Sequence, residues 1–152
     1  TDLGLAASRT QILNNTIVVS ADNAHAVHPN DLGKTDKLNK VYMNEGIVIK
    51  YNANQAYTTD AMSSAVLKRI FELNNIKYQE FTNRSDVRGG STLGAISTQM
   101  VSIPSVDIGL AQLAMHSACE TAGVYDAKIL ESGMKAFYDT KIKKEKNCYI
   151  IK

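Results

Sequence analysis

The sequence predicts an α/β fold, a sheet with helices packed on it. Two observations lead there. Short β-branched runs with the length of buried strands recur along the chain, at Thr16–Ser20, Gly46–Tyr51 and Ile103–Ile108. Between and after them lie segments whose apolar residues recur at helical spacing, and this alternation is the signature of a sheet covered by helices.

The elements follow in order. Residues Asp2 to Asn14 look like the tail of a helix, broken at Asn14-Asn15. Thr16–Ser20 is the first strand, and its end delivers Asp22. From Asn23 to Asn44 the chain is polar, with Pro29 and Gly33, and reads as a long loop, a length that compact domains usually reserve for function. Gly46–Tyr51 is the second strand. Thr58-Thr59-Asp60 caps a helix whose apolar positions are Ala61, Ala65, Val66, Ile70 and Leu73, closed by Asn74-Asn75. Tyr78–Phe81 is a third strand. Arg88–Thr92 is a turn into a helix of Leu93, Ile96 and Met100. Ile103–Ile108 follows, with Pro104 placing it at an edge or at a strand start. A last helix covers roughly Ala127 to Ile142, with Ile129, Met134, Phe137 and Tyr138 apolar, and the charge block Lys141–Lys146 is expected as its solvated end or a tail.

Composition narrows the function classes. Hydrophobic residues make up 44% and charged residues 21%, as in ordinary globular chains. A net charge of +2 leaves no electrostatic footprint for nucleic acid and no basic membrane patch. No stretch reaches the roughly 18 apolar residues of a membrane span. Cys119 and Cys148 follow no metal spacing, and two thiols fit a reducing compartment better than a disulfide framework.

Chemistry concentrates in two segments. In Ser20-Ala-Asp22-Asn-Ala-His25-Ala-Val-His28-Pro-Asn30, an Asp just past a strand is followed by two His. Carboxylate and imidazole both suit zinc, and ligands of α/β sheets gather at strand carboxyl ends. Asp22 capping a turn, with the histidines hydrogen-bonded in a loop, accounts for the same residues. In Leu113-Ala-Met-His116-Ser-Ala-Cys-Glu120, His116 follows the Ile103–Ile108 strand and its turn, so it is expected on the rim that carries Asp22; a satisfied buried histidine is the alternative. Lys50 ends a strand and either snorkels to solvent or faces an anion. Tyr57 is a hydroxyl donor to substrate or part of the core. Arg84 and Asp86 suit a structural ion pair. Gly89-Gly90-Ser-Thr92 before a helix suits anion binding through backbone N–H groups but lacks the lysine of a nucleotide-binding loop.

Taken together and in order, several segments resemble the aspartyl aminopeptidase family, closest to its bacterial cytosolic branch. They are Ser20–Asn30, Gly46–Lys50, Asn52–Asp60, Tyr78–Asp86, Gly90–Gly94 and Leu113–Ser117, and the resemblance runs from about Thr16 to about Tyr138. It implies a three-layer α/β/α zinc-exopeptidase domain, phosphorylase/hydrolase-like, of which residues 1–152 are the C-terminal part. It implies a metallo-aminopeptidase that removes N-terminal residues, acidic Asp and Glu preferred, by a water activated between two divalent ions. Zinc is the expected metal, with cobalt or manganese able to use the same ligands.

Residue by residue, Asp22 matches a ligand of one metal and His116 the final ligand of the other. His25, Lys50 and Tyr57 match substrate-contacting positions. His28 lies in the same motif without a definite role. Cys119 departs from the family, whose members often carry Arg there. The remaining ligands (a His, a bridging Asp and a Glu), the catalytic Glu and an inserted dimerisation domain are expected upstream of Thr1, so no catalytic residue is expected within the chain itself. The family also implies a peptide substrate, a cytoplasmic location and a homo-oligomer, a dodecamer by analogy, with neither nucleic acid nor membrane as partner. A non-catalytic scaffold derived from such an enzyme, or a small metal-binding module built on Asp22, His25 and His28, are the competing readings.

Overall fold

The computed structural model describes residues 8–146 and 148–152. Its frame is a four-stranded mixed sheet. Strands β1 (Val18–Ala21), β2 (Ala24–His25), β3 (Ile47–Tyr51), β4 (Tyr78–Thr82) and β5 (Ser105–Gly109) come first in the chain, and four of them build this sheet in the order β1-β5-β3-β4. β1 runs parallel to β5 and β3 parallel to β4, but β3 and β5 are antiparallel. Pro104 marks the start of β5, a central strand and not an edge. There its missing N–H costs no ladder bond, while its carbonyl accepts from Val18 N at 2.9 Å.

Helices cover both faces. The first, α1 (Arg9–Asn14), starts with a capping box between Ser8 and Gln11. Residues 2–7 of the expected helix lie outside the described residues. The second, α2 (Ala61–Leu73), is capped by Asp60 in a box with Ser63, as the Thr-Thr-Asp signal predicts. Its buried Val66, Leu67, Ile70 and Phe71 pack with Ile47, Ile49, Val106 and Ile108 in the main core. Alternation along the strands (period two) sends these residues to one face and Val48, Lys50 and Asp107 to the other. On that second face the first turn of α3 (Leu93–Met100) comes within van der Waals reach of Ser20 and Asp107.

A smaller sheet extends the first. β2 pairs in parallel with β6 (Ala111–Leu113), and β6 pairs antiparallel with β7 (Thr121–Ala122). The loop expected over residues 23–44 is therefore interrupted, by β2 and by one turn of 3-10 helix at Leu32–Lys34. Tertiary pairing explains the strand: two residues give no period to detect.

The C-terminal expectation is corrected in two places. Helix α4 spans Val124–Asp139, beginning and ending about one turn before the predicted range. Its start is set from outside the helix. Asp126, fully buried, accepts the backbone N–H of Asn44 at 2.6 Å and of Gly46 at 3.0 Å. Lys141–Lys146 is neither helix end nor tail. It opens a hairpin of β8 (Ile142–Glu145) and β9 (Cys148–Ile151), and Ile142, Tyr149 and Ile151 pack on the main core while the charges face solvent. Burial of alternate apolar residues outweighs the helical bias of the lysines.

Asp126 ties α4 to the turn before β3, and Gly46 in that turn has φ 107°, with a Cβ there lying 2.3 Å from Lys77 O. Asp126→Ala leaves the buried Gly46 N–H and the part-buried Asn44 N–H without their acceptor and is expected to cost about 2–3 kcal/mol in a urea melt. Surface Lys143→Ala is expected to cost under about 0.5 kcal/mol.

Candidate functional site

The chain enters the site through a short polar corner between β1 and β2. Asp22 N donates to Ile108 O at 2.9 Å, which holds the corner against the end of β5. Asn23 then crosses between the two chain segments. Its Nδ2 donates to Gln112 Oε1 at 2.7 Å and its Oδ1 accepts from Leu110 N at 3.3 Å. Gly109 is required beside it, because a Cβ there would lie 1.8 Å from Asp22 O. The Asp22 segment and the segment leading to His116 are thus laid side by side by parallel β2–β6 pairing and this amide lock.

His116 follows β6 by three residues. It has φ 67°, and Ala114 has φ 54°, so the chain turns sharply through two left-handed residues. Glu120 steadies the turn by accepting His116 N at 2.6 Å, and that bond holds the Glu120 carboxyl below its ordinary range. Asp22 and His116 are both exposed, and His116 is not a satisfied buried histidine. Among the described residues no three His, Cys, Asp or Glu side chains gather where they could share a metal ion. Asp22 and His116 have the donor chemistry for zinc. Two donors do not close a site.

Lys50 does not snorkel to solvent. It is 1% exposed. Its Nζ donates to Asn23 O at 3.4 Å and stands 4.9 Å from the Tyr57 ring centroid, a cation–π contact. Burial pushes the ammonium below the usual lysine range, and the negative charges of Asp22 and Asp107 partly oppose that. Tyr57 covers Lys50 and packs against Phe81 with ring centroids 6.4 Å apart. Its hydroxyl donates to Asn83 Oδ1 at 3.4 Å, and burial raises the phenol above its ordinary range.

Beyond Tyr57 lies a cavity of about 400 Å³. His25, His28, Tyr57, Asn83, Arg84 and Gln112 line it, with Gly89-Gly90. Asp22, Lys50 and His116 are not part of its wall. The structure therefore brings His25 and Tyr57 to one cavity and sets Lys50 behind them. His28 turns inward on its own loop, its Nδ1 accepting Asn30 N at 3.2 Å. Arg84 pairs with Asp86, as expected, and also donates to Gly33 O. Cys119 and Cys148 are free and exposed.

Sequence reasoning missed Asp107. It is fully buried in β5, and its Oδ2 accepts from Thr58 N at 2.6 Å and Thr58 Oγ1 at 2.8 Å. The one signal in the chain was a lone carboxylate inside an apolar strand, between Val106 and Ile108. The amides Asn23, Asn83 and Gln112 carried no sequence signal of their own.

Similarity to known proteins follows the same segments. The family model described as aminopeptidase I zinc metalloprotease (M18) matches residues 3–138. A probable M18 family aminopeptidase 2 of Clostridium acetobutylicum is 46% identical over 127 residues, covering 84% of this chain and 29% of that protein. A probable aspartyl aminopeptidase of Ricinus communis is 41% identical over 127 residues, covering 84% of this chain and 26% of that one. A chain in the cryo-EM structure of the Ape4 and Nbr1 complex superposes with a TM-score of 0.81 at 36% identity, covering 83% of this chain and 24% of that one. The chain thus spans under a third of the length of these relatives. With an α/β fold that matches M18 structures and a family model covering most of its residues, the chain belongs to the M18 family of zinc metalloprotease aminopeptidases.

Proposed function

We propose that the protein carrying this chain is a two-metal aminopeptidase with a preference for acidic N-terminal residues, and that these 152 residues supply part of its site. The observation that carries the reading is the pinning of two potential ligand segments side by side, Asp22 against β5 and His116 after β6, locked by Asn23 and Gln112. In this reading Asp22 would hold one ion and His116 the other. Paired divalent ions supply an activated water and polarise the scissile carbonyl. The chain's own side chains receive and orient the substrate. His25 and Tyr57 line the cavity that takes the peptide end, His25 held by strand pairing with Gln112 and Tyr57 by its hydroxyl bond to Asn83. Lys50, behind Tyr57 and near Asp22, sets a positive potential in a poorly solvated place, where a point charge acts strongly on a substrate carboxylate. The proton-transferring Glu and the other ligands belong to the remainder of the protein. A homo-oligomer, dodecameric by family analogy, and a cytoplasmic location complete the proposal, the latter supported by two free thiols. No helix among the described residues is long and apolar enough to cross a membrane.

In the full-length protein, His116→Ala is expected to halve bound metal and to cut release of N-terminal residues by at least about 100-fold. Metal analysis and a peptide assay check this; unchanged metal and unchanged release would sink the assignment. Lys50→Met is expected to lower the preference for N-terminal Asp over Leu by about tenfold or more. The same lysine gives a pH signature. Its folded-state pKa lies below the ordinary 10.5, so the unfolded chain binds the extra proton between the two values. Stability contributed at this site therefore rises with pH from the lowered value up to about 10.5. Urea melts across that window are expected to show a shallower rise in Lys50→Met.

A further inference from the structure

Strand register places one row of side chains across the whole sheet, on the face away from α2. Ser20 pairs with Asp107 between β1 and β5, and Lys50 pairs with Phe81 between β3 and β4. Between β5 and β3, Val48 faces Gly109 and Ile49 faces Ile108. Continuing that antiparallel register by one residue sets Lys50 opposite Asp107. The two buried charges are therefore cross-strand neighbours in the middle of the sheet, at 1% and 0% exposure.

Asp107 makes three hydrogen bonds to two adjacent residues. Its Oδ2 takes both the N–H and the hydroxyl of Thr58, and its own N–H donates to Thr59 Oγ1 at 2.8 Å. Its Oδ1 has no hydrogen-bond partner among the described residues. That oxygen faces the first turn of α3, where a Cβ on Gly94 would come within 3.0 Å of it and 2.9 Å of Ser20 Oγ. The helix end presents partial positive charge to the carboxylate. Thr58 and Thr59 directly follow Tyr57, whose ring covers Lys50. One carboxylate thus holds the segment next to Tyr57 and stands opposite the ammonium beneath that ring.

We propose that Asp107 is a positioning residue. It holds Lys50 as a charged group and fixes the Thr58-Thr59 segment so that Tyr57 faces the cavity with the charge of Lys50 behind it. This rests on the aminopeptidase reading above, with Lys50 acting on acidic N-terminal residues. Asp107 touches neither substrate nor metal; it acts through Lys50 and Tyr57.

The experiment is a double-mutant cycle in the full-length protein, with peptides carrying N-terminal Asp or Leu. Asp107→Asn keeps the shape and one acceptor but removes the charge. The expected result is a fall of about tenfold in the ratio of kcat/KM for Asp over Leu, carried mainly by KM for the acidic peptide. Added to Lys50→Met, Asp107→Asn is expected to lower that ratio no further, because its effect on the choice between the two peptides runs through the lysine, while its effect through Tyr57 falls on both peptides alike. Losses that multiply in the double variant, or a ratio within about twofold of wild type in Asp107→Asn, overturn the proposal. Thr58→Val removes a single hydroxyl bond to Asp107 and serves if Asp107→Asn does not fold. A smaller fall in the ratio supports the proposal, and no change overturns it. A wild-type protein that releases no N-terminal residue brings down the aminopeptidase reading and this one with it. An active wild type with multiplying losses brings down only the role of Asp107.

Discussion

A buried carboxylate and a buried ammonium stand on adjacent central strands, and the arrangement of the site depends on them. Charges taken out of water are costly unless the surroundings satisfy them. Asp107 Oδ2 is bonded by Thr58 while its Oδ1 faces the first turn of α3, and Lys50 is met by Asn23 O and the Tyr57 ring. These groups come from three connections, Tyr57 and Thr58 sharing one. The β1–β2 corner, the β3–α2 connection and the start of α3 are therefore all drawn to the same face. An apolar pair at these positions would pack as well and leave those loops without a common anchor.

The opposite face is ordinary by contrast. Ile47, Ile49, Val106 and Ile108 bury against Val66, Leu67, Ile70 and Phe71 of α2, and α4 and the C-terminal hairpin close over them. Gly133 marks how close α4 comes, since a Cβ there would lie 2.4 Å from Ile47 Cδ1. This apolar half supplies the main hydrophobic stabilisation. The other face carries a smaller apolar cluster of Val41, Val48, Tyr57, Phe81 and Ala111 around the buried charges, with the cavity beyond Tyr57.

Much of the fold was visible in the chain. The strands around Val18, Ile47 and Val106 announced themselves by β-branched runs, the strand at Tyr78–Phe81 was also legible, and α2 showed its Asp60 cap and apolar spacing. The site was visible only as short motifs whose residue types suit metal and peptide chemistry. Asp22, His25, Lys50, Tyr57 and His116 could be singled out, but their grouping could not. The structure sets His25 and Tyr57 on one cavity wall, Lys50 behind it, and Asp22 and His116 outside it. Asp107 escaped notice because a single carboxylate in a strand has no period and no partner nearby in sequence; its partners sit 48 and 49 residues away.

What the sequence alone determined was local: strand and helix identity, the helix cap at Asp60, the family resemblance and the chemical character of each candidate residue. These follow from nearest-neighbour sterics and from the period at which apolar groups recur, which a linear reading contains. The tertiary structure decided the rest. It made β3 antiparallel to β5, turned Lys141–Lys146 into a hairpin, began α4 at a carboxylate bonded to a distant turn, and placed Lys50 opposite Asp107. Each of these depends on hydrogen bonds and burial between segments far apart in the chain. Their free energy exists only once the segments have met, so no local pattern encodes them.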